Sequence, residues 1–235
     1  MAIDNATVRI AHSSDLHIDS GAEGFDVLRS VLASALEADL LVLAGDVFEH
    51  NRLPLKLIDQ AARLLGDAGF PVVVLPGNHD CLGSNSVYTR GGLGDPENVS
   101  VLGVTNSETL HFPSLDLSIW GRPHHDYEDM APLAESPKRL AGRHIAVAHG
   151  HLHLSPEDQE RSWLIREGDL AAIDADYVAL GHWDRPVRAR GGHAHAYYSG
   201  SPQFARTLNL VDIGSAGEVV VERTPLTGSG IQPDS

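Results

Sequence analysis

At 235 residues the chain can bury a substantial core in one large domain or two small ones, and its single cysteine, Cys81, excludes an internal disulfide and suits a reducing compartment. A net charge of −15, from 17 basic and 32 acidic residues, argues against a protein whose main task is gripping duplex nucleic acid. No segment approaches the roughly 18 to 20 apolar residues of a membrane span, and Met1–Asn5 lacks the basic stretch that opens a leader, so a cytoplasmic protein with no membrane partner is expected.

Thr7-Val8-Arg9-Ile10-Ala11 alternates as a strand does and runs into His12-Ser13-Ser14-Asp15-Leu16-His17. Apolar residues at Phe25, Leu28, Leu32 and Leu36 predict a helix. Leu40-Leu41-Val42-Leu43-Ala44 predicts a buried strand ending in Gly45-Asp46, Pro54 to Leu65 a helix with proline near its first turn, and Val72 to Leu75 a third strand. The order β-α-β-α-β, with apolar runs in place of alternation, predicts a parallel sheet covered by helices on both faces. Pro76-Gly77 breaks the third strand where Asn78, His79 and Asp80 arrive. Read as ordinary turn chemistry the stretch is bland; read as the carboxyl end of a buried strand, it projects three polar side chains where ligands bind in open α/β sheets.

From Cys81 to Glu97 glycine, serine and asparagine predominate, which predicts a long loop beside the site. Strand-like pieces follow near Val99–Leu102, Thr109–Phe112 and Leu115–Trp120, and beyond His124-His125-Asp126-Tyr127 a helix is predicted from Ala131 to Leu140. Ile145–Ala148 is a further buried strand, with His149 at its end. Leu164 to Leu170 suggests a short helix, and Asp176–Leu180 a strand that runs into Gly181-His182-Trp183-Asp184. Val187–Arg190, Ala194–Tyr198 and Glu218–Arg223 read as antiparallel strands joined by glycine-containing turns, and the residues from Pro225 on have the composition of a tail. With no repeat and no dividing linker, a single domain over 1–224 and a flexible tail over 225–235 are expected.

Five strands thus end in Asp15/His17, Asp46, Asn78/His79, His149 and His182/Asp184. Oxygen and imidazole donors gathered at one sheet edge can hold two metal ions while leaving positions open for water and substrate, and the lack of thiolates argues against a structural zinc site.

In order, Asp-x-His, Gly-Asp, Gly-Asn-His-Asp, a lone histidine after an apolar strand and Gly-His resemble the motif set of the calcineurin-like metallophosphoesterase superfamily, from about Asp15 to Asp184. Gly181-His182 followed by Tyr198-Ser199-Gly200-Ser201-Pro202 is similar to the SbcD-like DNA repair exonuclease branch. The resemblance implies a four-layer α/β/β/α sandwich, metallophosphoesterase-like, with a di-metal site at the strand ends. It implies that Asp15 and His17 bind a first metal, that Asp46 bridges two, and that Asn78, His149 and His182 complete the second. It implies further that His79 contacts the phosphate and protonates the leaving oxygen while Asp80 orients its ring. Two cations neutralise phosphoryl oxygens and lower the pKa of water, and histidine has the pKa to donate a proton near neutrality.

Where the family has a second histidine after Gly181-His182, this chain has Asp184. Its carboxylate can complete the first site, making it richer in oxygen and suited to Mn²⁺, with Fe or Zn as alternatives. If the shorter side chain misses the metal, His193 or His195 is the candidate stand-in. His12, His50 and His144 read as strand-edge or surface residues, His151 and His153 as a strand extension that can line the cleft, His124-His125 likewise, and Arg185, Arg188 and Arg190 as a local basic patch.

The expected function is di-metal hydrolysis of a phosphoester, a small or nucleotide-like phosphodiester above all. One alternative is an SbcD-type DNA exonuclease subunit, against which stand the charge and the expectation that the chain leaves no room after Arg223 for a further DNA-binding domain. The other is an inactive metal-binding module, against which His79 and Asp80 speak.

Overall fold

The first sheet of the protein is built from both ends of the sequence. In the computed structural model, which describes residues 7–21 and 23–227, the elements in chain order are β1 (Thr7–Ser13), α1 (Glu23–Ser34), β2 (Leu40–Ala44), α2 (Leu55–Gly66), β3 (Val72–Leu75), α3 (Val87–Arg90), β4 (Val99–Val101), β5 (Thr109–Phe112), β6 (Leu117–Gly121), β7 (Arg143–His149), β8 (His151–Leu152), β9 (Leu164–Ile165), α4 (Glu167–Ala172), β10 (Tyr177–Gly181), β11 (Val187–Ala189), β12 (His195–Tyr198), α5 (Pro202–Ala205), β13 (Thr207–Gly214) and β14 (Val219–Pro225). One six-stranded sheet has the order β14-β13-β1-β2-β3-β4, a second has β11-β12-β10-β7-β6-β5, and β8 and β9 form a separate parallel pair.

The alternation of side chains along each strand explains the layering. In β2, Leu41 and Leu43 join Phe25, Leu28 and Val31 of α1 and Ile58, Ala61 and Leu65 of α2, whereas Leu40, Val42 and Ala44 join Ile119, Ile145, Val147 and Ala179 of the second sheet. The two long helices therefore cover one face of the first sheet only, and its other face packs on the second sheet. This corrects the expectation of helices on both faces of the first sheet. A third apolar layer, with Leu133, Ile165, Leu170 and Ile173, covers the outer face of the second sheet, where α4 is its one helix among the described residues.

Several other expectations change. Residues 131–140 form turns and irregular chain, because Pro132 and Pro137 interrupt any helix there and Glu135 has a φ of +59°. Leu164–Ile165 is a strand, and the helix begins only at Glu167. The 81–97 loop contains α3, whose Arg90 Nη2 reaches the carbonyls of Asn51 and Leu53 at 2.5 and 2.6 Å. An additional strand, β13, runs antiparallel to β1 and brings β14 into the first sheet instead of the second. Pro225 ends β14, and Leu226 is buried with its N–H bonded to Arg206 O at 2.9 Å, so the fold extends past the expected boundary. The rest of the expected tail and the expected absence of a leader at Met1–Asn5 lie outside the described residues. Among the described residues no helix is long and apolar enough to cross a membrane.

Candidate metal centre

β1, β2 and β3 run parallel in one sheet and β7 and β10 run parallel in the other, while β2 packs against β7 and β10 across the interface. Their carboxyl ends therefore meet at one edge. Glycine makes the approach possible: at Gly45, φ +93°, a Cβ would run into His149 Nδ1, and at Gly181 one would run into Ala44 O. Non-glycine residues with positive φ also gather here: Asp15 (+56°), His17 (+48°), Asp46 (+53°) and His182 (+103°) are four of eight among the described residues. Strain of this kind clusters at functional sites because only dense surrounding contacts can hold it.

Four donor atoms converge at this edge. Asp46 Oδ2 lies 3.1 Å from His149 Nε2, which lies 3.0 Å from Asn78 Oδ1, and that oxygen lies 3.1 Å from His182 Nδ1. Adjacent ligands of an octahedral ion bonded at about 2.1 Å are separated by about 3.0 Å, so the spacing fits a divalent cation. Next to it, single donor atoms of His17, Asp46 and His79 lie within 4.8 Å of one another, as do those of Asp15, Asp46 and His149. His17 Nε2 is 3.9 Å from Asp15 Oδ1. Asp46 belongs to both groups, which is the position a bridging carboxylate would need.

The main chain holds these side chains in place. His79 N–H donates to Asp46 Oδ1 at 2.9 Å, and His182 N–H reaches both Asp15 oxygens at 3.1 and 3.0 Å. The Ser199-Gly200-Ser201 turn supports the first motif: Ser201 Oγ donates to Asp15 O at 2.9 Å, and Ser199 Oγ lies 2.9 Å from Ser14 Oγ.

Asp15 and Asp46 are both buried. Burial, aided by the charge of Asp46, pushes the Asp15 carboxyl up to about 6 against the pull of His149. Burial also acts on Asp46, but the neighbouring His149 outweighs it and holds this carboxyl well below the usual range. His149 itself is raised to about 10, because the charge and hydrogen bond of Asp46 and the charge of Asp15 overcome its burial. Burial and the His149 charge lower His182 to about 3, leaving its ring neutral and free to act as a donor to a cation. Two buried carboxylates beside neutral imidazole and amide oxygen, with no thiolate in either group, suit hard or borderline divalent ions.

His79 is half-exposed, and its Nδ1 lies 2.9 Å from Glu49 O. Burial opposes its protonation, but Asp46 and Glu49 raise its pKa above the ordinary value. The hydrogen bonds of Asp80 run to groups other than this ring. Its oxygens accept from Gly77 N at 2.7 Å, Phe48 N at 3.0 Å and Tyr88 Oη at 2.6 Å, tying the third motif to the second and to α3. The residue that faces both His17 and His79 is Glu49: its carboxylate is 2.9 Å from His17 Nδ1 and 3.5 Å from His79 Nδ1. In the sequence the only cue to Glu49 is a carboxylate three residues beyond Asp46 in Gly-Asp-Val-Phe-Glu.

Asp184 is exposed, and among the described residues its carboxylate joins neither donor group. Its main-chain carbonyl accepts from Ser201 N at 3.1 Å, which fixes the residue to the turn beside the site. Neither suggested stand-in replaces it. β12 runs parallel to β10 with His195 opposite Tyr177, so His195 sits at the far end of the sheet, about 10 Å along the strand at 3.3 Å per residue, and His193 precedes it.

The remaining histidines take varied positions. His12 and His144 are fully buried, not at the surface, with Nδ1 atoms 2.8 Å from Tyr177 Oη and 2.7 Å from Ser118 Oγ. His50 is half-buried, and its Nδ1 accepts from Arg52 N at 3.2 Å. His124 is buried behind His149, whose carbonyl it meets through Nε2 at 2.8 Å. Of His151 and His153, expected as a strand extension that can line the cleft, His151 has its ring 6.0 Å from that of His182, beside the centre.

Residues 8–186 match the calcineurin-like phosphoesterase family. The chain is 25% identical over 280 residues to the SbcD subunit of the SbcCD nuclease of Bacillus subtilis, covering 95% of this chain and 70% of that one. It is 35% identical over 85 residues to the DNA double-strand break repair protein Mre11 of Aeropyrum pernix, of which the match spans only 21%. Among solved structures, that of TT1561 of Thermus thermophilus superposes with a TM-score of 0.60 at 12% identity, covering 92% of this chain and 99% of the other, a likeness of fold. The ordered motifs, the paired sheets and the match over most of its length lead to one conclusion: the chain belongs to the calcineurin-like phosphoesterase family.

Proposed function

We propose that the protein hydrolyses a small or nucleotide-like phosphodiester at a two-metal centre. The observation that carries this reading is the convergence of Asp46 Oδ2, His149 Nε2, Asn78 Oδ1 and His182 Nδ1 at separations of 3.0 to 3.1 Å. In this reading Asp15, His17 and Asp46 hold a first metal, and Asp46, Asn78, His149 and His182 a second. Mn²⁺ suits the oxygen-rich set, with Fe or Zn as alternatives. Divalent cations at such a site neutralise phosphoryl charge and activate water. Nδ1 of His79 is engaged by the Glu49 carbonyl at 2.9 Å, so the raised pKa is expressed at Nε2, which donates a proton to the departing oxygen. The Glu49 carboxylate, 2.9 Å from His17 Nδ1 and 3.5 Å from His79 Nδ1, sets a negative charge beside both rings.

A second reading, an exonuclease of the SbcD type, is favoured by the similarity to the Bacillus subtilis SbcD subunit along 95% of this chain. The net charge of −15 favours a small substrate instead. Metal analysis of the purified protein, followed by assays with aryl and alkyl mono- and diesters and linear DNA in Mn²⁺, separates the readings. Faster turnover of a small diester than of DNA is expected; a protein that carries two metals and hydrolyses none of the panel overturns the proposal.

A further inference from the structure

Trp163 has a φ of +57°, a conformation that a bulky aromatic residue rarely adopts. The segment around it is built to hold it there. Trp163 N–H donates to Asp129 Oδ1 at 2.6 Å, its indole Nε1–H donates to Glu128 O at 2.9 Å, and its carbonyl accepts from His151 N at 2.9 Å. Gly150 permits this approach, since a Cβ there would run into Trp163 O. The ring centroid lies 5.9 Å from His182 and 5.3 Å from His124, both nearly perpendicular to it. With both polar groups satisfied, the residue still keeps part of its surface exposed. A pinned, strained and partly open aromatic surface thus stands beside an imidazole of the metal centre. Trp183 does not compete for this role, as its ring is stacked on Tyr198 at 4.9 Å and its Nε1–H points to His151 Nδ1 at 3.3 Å.

We propose that Trp163 is a specificity-determining residue that stacks on the nucleobase of the substrate while the phosphate occupies the centre next to His182. The inference rests on the two-metal reading above and adds the substrate class: a nucleotidyl ester of low charge, in keeping with the acidic chain. Every nucleobase offers a flat π face, so an indole platform selects nucleotides over alkyl esters without reading the base.

The test is equilibrium binding to the Mn²⁺-loaded protein by calorimetry, with a nucleoside phosphonate and methylphosphonate as ligands that turnover cannot consume. Wild type is expected to prefer the nucleoside phosphonate by roughly tenfold or more, the size of one base–aromatic contact. Trp163→Ala should erase the preference and leave methylphosphonate affinity unchanged, and Trp163→Phe should keep most of it. Absence of a preference in wild type overturns the inference, as does its survival in Trp163→Ala. Equal weakening of both ligands in Trp163→Ala also overturns it, since the indole then only shapes the centre. Methylphosphonate binding in wild type shows that the phosphate site survives such a failure; binding of neither ligand removes the two-metal reading as well.

Discussion

His149 Nε2 lies 3.1 Å from Asp46 Oδ2, and this buried pair joins the carboxyl ends of β7 and β2. Because His149 is raised to about 10, the metal-free protein holds a proton on it at neutral pH, and a cation entering the site must displace that proton. Metal affinity should therefore rise with pH, and Mn²⁺ titrations in buffers of different ionisation enthalpy should report proton release. For the metal-free protein, a folded pKa above the ordinary histidine value means that the stabilisation is complete below about 6.5 and is lost as the pH rises towards 10. Melting temperatures in chelator should fall over that window.

His79→Ala should lower kcat on alkyl leaving groups by roughly 10² or more with metal content intact, as expected for removal of a general acid. Activated aryl esters, whose leaving groups need no proton, should show little loss. Since His79 also lies in a donor group with His17 and Asp46, loss of metal from the variant would identify it as a ligand instead.

Glu49→Ala removes the carboxylate 2.9 Å from His17 Nδ1. Outer partners of ligating histidines typically contribute about 10- to 100-fold in metal affinity, and a loss of that order at one of two sites is expected. Unchanged binding at both sites would make Glu49 a bystander.

Tyr88→Phe removes one of three donors to Asp80 and should cost about 1 kcal/mol, roughly 2 to 4 °C in melting temperature. Asp80→Ala should cost more, because it strands the buried N–H groups of Phe48 and Gly77. An Asp80→Ala protein that melts like wild type but has lost turnover would return Asp80 to a role in catalysis.

Asp184→Ala should leave metal occupancy and rate within about twofold of wild type, as exposed side chains away from a donor group contribute little. Weaker binding of one metal, rescued at high Mn²⁺, would show that the carboxylate swings in as a ligand.

Much of this site was legible in the sequence. Apolar runs such as Leu40–Ala44 and Val72–Leu75 specify buried strands, and a buried parallel strand ends where Gly45-Asp46 or Pro76-Gly77-Asn78 breaks the run. These are local signals, fixed by solvent exclusion and backbone sterics within a few residues. Only the tertiary structure decided the partners. Ser14 meets Ser199 across 185 positions and Asp80 meets Phe48 across 32, and no periodicity records such pairings. For the same reason the hydrogen bonds of Asp80, next to His79 in sequence, go elsewhere: in the bend at 78–80 the ring of His79 turns to Glu49 while the Asp80 carboxylate turns inward to Tyr88. β13 went unseen because its half-buried alternation takes its meaning only from pairing with β1, nearly 200 residues earlier in the chain, and Trp163 because the sequence carries no sign that its backbone turns through positive φ towards His182.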